Sequence, residues 1–206
     1  SSPANLTDFN GTLFFTANDG TNGAELWKSD GTAAGTVLVK DINAGTLNST
    51  PSNLRVIGTT LYFTATTAAN GTELWKSDGT AAGTVLVSDI VAGSGSSSPA
   101  NLTAVGSTLF FSASNGATNG TELWRSDGTA GGTFMVRDII AGAGSSSPSS
   151  FLDVGGMLFF RATTSAEGIE LWKSDGTAGG TVLVSDINTG AASGSPFSFA
   201  AVGGIL

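Results

Sequence analysis

The chain has 206 residues, no cysteine and no histidine, and it carries 16 acidic against 8 basic residues for a formal net charge of −8. Those numbers exclude a disulfide framework, a thiolate zinc site and histidine general-base chemistry. The acidic balance argues against nucleic acid and anionic membrane surfaces as partners, and no apolar run approaches the ~18–20 residues of a membrane-spanning helix.

The elements fall into a repeat. Pro3, Pro51, Pro99, Pro148 and Pro196 stand at intervals of 48, 48, 49 and 48 residues. They divide the chain into units 3–50, 51–98, 99–147 and 148–195, and the start of a fifth, 196–206. A period of this size belongs to a solenoid, a propeller or an array. Within the third unit four short strands are expected, at 101–105 "NLTAV", 108–114 "TLFFSAS", 121–126 "TELWRS" and 133–139 "TFMVRDI". Each is rich in aromatic or β-branched residues and bounded by Gly-rich turns. The first link is short, and Asn10-Gly11 is a hairpin signal. In the third link, "DGTAAGT", Thr32 is placed to cap a single helical turn that Gly35 would end with a positive φ.

Side-chain alternation then selects an architecture. In "LFF", Leu13 and Phe15 point one way and Phe14 the other; Leu26 and Trp27, and Leu38 between Val37 and Val39, do the same. Sheets that are apolar on both faces must be covered on both. Stacking between copies of itself achieves this, so the expected fold is all-β, a β-propeller-type array of four-stranded antiparallel blades. A β-solenoid of meander units is the alternative.

The most constant phrase is "ELWKSDGT" or "ELWRSDGT", at 25–32, 73–80, 122–129 and 170–177. It resembles the ELWxxDGT repeat family of large secreted, hyalin-like bacterial proteins, and the resemblance spans units one to four. It implies a propeller-like fold and an extracellular or cell-surface location, and says almost nothing about activity. The turn also looks like the Asp-box hairpin of sialidase-type propellers, where it is structural, and the blade length is similar to that of a five-bladed lectin.

Each recurring residue has two readings. Trp27, Trp75, Trp124 and Trp172 are either inter-blade core or one sugar-stacking platform per blade; flanking leucines favour core. Glu25, Glu73, Glu122 and Glu170 either ring a channel and hold a cation or pair with a base such as Lys28 or Lys40, the favoured reading. Asp30-Gly31, Asp78-Gly79, Asp127-Gly128 and Asp175-Gly176 read as turn chemistry. Calcium wants six to eight oxygens, and a lone Asp with a Thr supplies too few, so no metal or other cofactor is expected; calcium shared between turns of neighbouring blades is the alternative, with nothing in the sequence to support it. Asp41, Asp89, Asp138 and Asp186 are expected to bond backbone amides at the ends of the fourth strands.

Catalysis has little to stand on. There is no G-x-S-x-G and no HExxH. Paired carboxylates could hydrolyse glycosides, but acids repeated in every unit read as scaffolding; those outside the repeat are Asp8, Asp19, Asp153 and Glu167. The chain is therefore expected not to be an enzyme. Asn-x-Ser/Thr sequons occur at Asn5, Asn10, Asn48, Asn70, Asn101 and Asn119, with Asn48, Asn70 and Asn119 in expected loops as glycosylation candidates.

The function expected from these residues is an extracellular structural or adhesive repeat protein; the alternative is a multivalent, lectin-like glycan binder. The fifth repeat, "PFSFAAVGGIL", has a first strand and the start of a second. Because the N-terminus already supplies a first strand, residues 200–206 are expected to pair with another copy or with adjoining repeats.

Overall fold

The computed structural model describes residues 2–206. All of the regular structure there is β, in four blades. The first holds β1 (Ala4–Phe9), β2 (Thr12–Asn18), β3 (Ala24–Ser29) and β4 (Val37–Lys40); the second β5 (Ser52–Ile57), β6 (Thr60–Thr67), β7 (Gly71–Ser77) and β8 (Val85–Ser88). The third holds β9 (Ala100–Val105), β10 (Thr108–Ser114), β11 (Thr121–Ser126) and β12 (Phe134–Arg137); the fourth β13 (Ser149–Val154), β14 (Met157–Thr164), β15 (Gly168–Ser174) and β16 (Val182–Ser185). Each blade is an antiparallel sheet whose four strands lie in chain order. Every strand ladder is made within one repeat, whereas a solenoid would pair strands from successive repeats. The chain is an all-β array of propeller-type blades.

Two irregularities recur and shape the sheet. The first strand bulges between Ala4 and Thr7, where Asn5 adopts φ 54°, and Asn53 and Ser150 do the same in their blades. The fourth strand bulges opposite Leu26/Trp27, Leu74/Trp75, Leu123/Trp124 and Leu171/Trp172. This turns Val39 inward beside its neighbours and bends the strand. β12 ends at Arg137, two residues before the expected end, because the next amides leave the ladder: Ile139 N–H donates to Glu122.

The chain divides into two compact units, Ser1–Leu102 and Thr103–Leu206. In the first, Phe9, Phe14, Leu26 and Val39 of blade one pack on Leu61, Phe63, Ala65 and Trp75 of blade two. In the second, Val105, Phe110, Leu123 and Val136 pack on Leu158, Phe160, Ala162 and Trp172 in the same manner. Each blade thus has a tryptophan face (Leu13, Phe15, Trp27) and a cation face (Phe14, Leu26, Lys28), and each core joins the cation face of one blade to the tryptophan face of the next. Burying one such large side chain contributes ~1.5–3 kcal/mol. The two-sided hydrophobicity of these short strands is therefore the main term holding blades together.

Candidate functional site

The repeated phrase is a site in the geometric sense: four copies of one arrangement of charged, polar and aromatic side chains. Its turn is built from hydrogen bonds that the sequence dictates. Asp30 Oδ1 accepts the Thr32 backbone N–H at 2.9 Å and the Thr32 hydroxyl at 2.7 Å, and Thr32 Oγ1 accepts from Gly35 N–H at 2.9 Å. Ser29 and Thr36 join hydroxyls at 2.7 Å across the turn. Asp78, Asp127 and Asp175 repeat the pattern. These bonds, the threonine hydroxyl first, hold Asp30, Asp78, Asp127 and Asp175 below the usual carboxylate range.

Thr32 caps the turn as expected, but Gly35 does not supply the positive φ; Gly31 does, at 89°. Gly35 is required for another reason. The Asp30 carboxylate lies where its Cβ would stand, and the same holds for Gly83, Gly132 and Gly180 against Asp78, Asp127 and Asp175. The preceding position is open and varies: Ala34, Ala82, Gly131, Gly179.

Glu25 does not pair with Lys28 or Lys40. Glu25, Glu73, Glu122 and Glu170 are fully buried and turn to the connector that leaves their own blade. Glu25 accepts from the Ser49 N–H at 2.9 Å, the Ser49 hydroxyl at 2.5 Å and the Ile42 N–H at 2.9 Å. Glu73 and Glu122 bond Ser97 and Ser146 likewise. In blade four Gly194 replaces that serine, so Glu170 keeps the Gly194 and Ile187 amides but has no hydroxyl. Burial pushes Glu25, Glu73 and Glu122 upward despite these bonds. Hydrogen bonding satisfies the carboxylates, which are neither a cation ring nor a salt-bridge partner.

The cations reach forward instead. Lys28 Nζ donates to Gly79 O at 2.8 Å and Lys40 Nζ to Thr84 O at 2.7 Å, both in the following blade. Arg125 and Arg137 make the equivalent bonds to Gly176 O and Thr181 O, and Arg137 also lies 5.9 Å over the Trp172 ring. The sequence reading missed both this latch and the serine of the staple. Their signals were fixed offsets within the repeat: a serine 24 residues after Glu25, Glu73 and Glu122, and a base three residues after each of the four motif glutamates, Glu25, Glu73, Glu122 and Glu170.

Trp75, Trp124 and Trp172 are buried, and Trp27 is half-buried. Each faces a phenylalanine across the sheet, as Phe63 faces Trp75. Their indole N–H groups are buried without an acceptor among the described residues, as is Oδ1 of Asp41, Asp89, Asp138 and Asp186. The other oxygen of those aspartates accepts a connector amide, Gly45 N–H at 2.9 Å in the first blade. Among the described residues, no three acidic side chains meet to hold a metal ion.

Of the sequon asparagines, Asn70 and Asn119 are partly buried, and their amide nitrogens donate to Asp89 at 3.0 Å and Asp138 at 2.6 Å. Asn48 is exposed, and its carbonyl oxygen accepts from the Ala24 N–H at 2.7 Å.

Two of the recesses adjoin the motif. One, of about 530 Å³, lies in the first unit over Phe9 and Phe14 and is edged by Lys28, Asp30, Asp78 and Thr80. The other, about 300 Å³, is lined by Phe15, Asn18, Asp19, Trp27 and Thr36 on the tryptophan face of blade one.

Fold and site together define a repeat array of propeller-type blades, each carrying one copy of the motif. No family model matches the chain, and no curated protein matches it. Among solved structures it is similar to a protein titled Bacteroides ovatus Xyloglucan PUL GH43B, at 14% identity and TM-score 0.40, covering 84% of this chain and 38% of that one. It is also similar to the computationally designed Ika8 protein, at 10% identity and TM-score 0.40, covering 94% and 64%. A third is an alpha-L-arabinofuranosidase from Clostridium thermocellum, at 14% identity and TM-score 0.35, covering 89% and 72%. The chain thus spans less than two thirds of the length of the first two.

Proposed function

We propose that this chain is a non-enzymatic structural or adhesive repeat protein of the cell surface or extracellular matrix, working through its stacked blades, with further copies or adjoining repeats as partners. The observation that carries this reading is the internal use of the motif. The glutamates are spent on connector amides, the Asp-Gly aspartates on their own turns, and Lys28, Lys40, Arg125 and Arg137 on the next blade's carbonyls. Side chains consumed in this way support a scaffold, with the recurring glutamates buried away from solvent. Immunogold labelling and protease shaving of intact cells that make the protein test it. Label at the surface and loss of the protein on shaving are expected; a protein confined to the cytosol contradicts the reading.

One observation favours the lectin-like alternative at a single place. Half-buried Trp27 lies beside Asn18 and Asp19 in the 300 Å³ recess, an aromatic surface next to polar groups of the kind that holds a sugar ring. Glycan-array binding that disappears in Trp27→Ala would support it; an array without signal would remove it.

A further inference from the structure

One face of blade one and one face of blade four match the two halves of the junction seen inside each unit. On blade one the tryptophan face is partly open: Phe15 is buried, but Trp27 is half-buried and Leu13 is 38% exposed, whereas Leu61 and Leu158 at the same position as Leu13 are fully buried. On blade four the cation face is open: Val184 is 43% exposed, whereas Val39 and Val136 are 6% and 5%. Phe159 and Leu171 are half-buried there, where Phe14 and Leu26 are buried. Lys173 holds the place of Lys28 and Arg125, whose nitrogens latch the next blade.

The geometry points to head-to-tail association of copies of this chain, the cation face of blade four seating the tryptophan face of blade one of a second copy. This contact deepens the structural reading above and rests on it. The occupant follows from the junction that the chain builds twice. The same apolar positions would close, with Leu13, Phe15 and Trp27 of one copy against Phe159, Leu171 and Val184 of the other. Lys173 Nζ would donate to Gly31 O as Lys28 does to Gly79 O. The contact is heterologous, so it propagates into a ring or a filament.

Residues 196–206 bear on it. They form no strand, although Ser198, like Ser195 just before them, takes the positive φ of its counterparts and Val202 and Ile205 make an isolated bridge across Gly203-Gly204. None of their side chains is buried; Phe197, Val202 and Ile205 are exposed. In the proposed contact the second copy's β1, not this segment, is the first strand beside blade four.

The test is sedimentation velocity of the 206-residue chain over a concentration series, with Leu13→Asp and Val184→Asp blocking one face each. Both positions are exposed, and circular dichroism melts check that the variants fold. Wild type is expected to form species that grow with concentration and, because each copy carries a charge of −8, with added salt. Each variant alone is expected to be monomeric, and an equimolar mixture to give a dimer and nothing larger. Lys173→Met should weaken association about tenfold, the worth of one charged hydrogen bond. A chain truncated after Ser195 should associate at least as well. Monomeric wild type, or a single variant that still dimerises, overturns the contact while leaving the scaffold reading and its labelling test standing. Loss of association on truncation overturns it in favour of strand completion by residues 196–206.

Discussion

Glu73 and Ser97, 24 residues apart, are joined twice: Glu73 Oε1 accepts the Ser97 N–H at 2.8 Å and Oε2 its hydroxyl at 2.5 Å. The pair ties the connector leaving blade two to β7 of the same blade, and Ser98 N–H donates to Thr72 O at 3.1 Å just beyond it. The connector therefore delivers Pro99 and β9 from a fixed point.

This staple carries a pH signature. Burial raises Glu73, Glu25 and Glu122 above 4.5, so the folded chain binds protons more readily than the unfolded one. Their contribution to stability is full below 4.5 and declines as pH rises through the folded value. The Asp-Gly aspartates run the other way. They are lowered from 3.8, so their contribution is present above 3.8 and is lost as pH falls through the folded value. Glu73→Gln keeps one acceptor and sets an amide NH₂ against a backbone N–H, a cost of about 1–3 kcal/mol. Urea melts of both proteins should show that gap larger at about pH 4 than at about pH 8. A gap that widens toward alkaline pH would contradict the burial argument.

Adjacent glycines in the third turn should respond oppositely to the same change. Gly132→Ala drives a Cβ into the Asp127 carboxylate and should cost about 1–3 kcal/mol. Gly131→Ala meets nothing within 4 Å at an ordinary φ, and should be neutral or stabilising by about 0.4–1 kcal/mol. Thermal melts of the two variants decide it; equal destabilisation would mean that the aspartate does not hold its place over Gly132.

The tryptophans should also separate by position. Trp75→Ala empties the core between blades one and two and should cost about 3–5 kcal/mol. Trp27→Ala, on the half-covered face, should cost less than half as much. Acrylamide quenching of single-tryptophan variants provides a second readout: Trp27 should quench most. Equal costs and equal quenching would place Trp27 in a closed core.

What the sequence made legible was what local chemistry controls. Strand alternation in "LFF" and "ELW" gave blades that are apolar on both sides, and the β10 and β11 limits match the expected 108–114 and 121–126. Asn10 and Gly11 both take positive φ, 54° and 82°, as their hairpin chemistry requires. The partners of Glu25 and Lys28 were not legible. Charge complementarity pairs them along one short strand, but they point to opposite faces of β3, and the nearest unpaired donors for a buried carboxylate are amides 17 and 24 residues on. Gly35 was misread for a related reason. Glycine at a turn's end usually signals backbone conformation, whereas here it makes room for a carboxylate five residues earlier.

The central claim is that the repeated glutamate is a blade-internal staple. Hydrogen exchange with mass spectrometry on Glu73→Gln tests it most directly. The account predicts faster exchange in the connector 89–98, where the Ile90 and Ser97 amides use different oxygens of Glu73 and glutamine leaves an acceptor for only one of them, with protection retained in the strands of blade four. Unchanged exchange at 89–98 would contradict it.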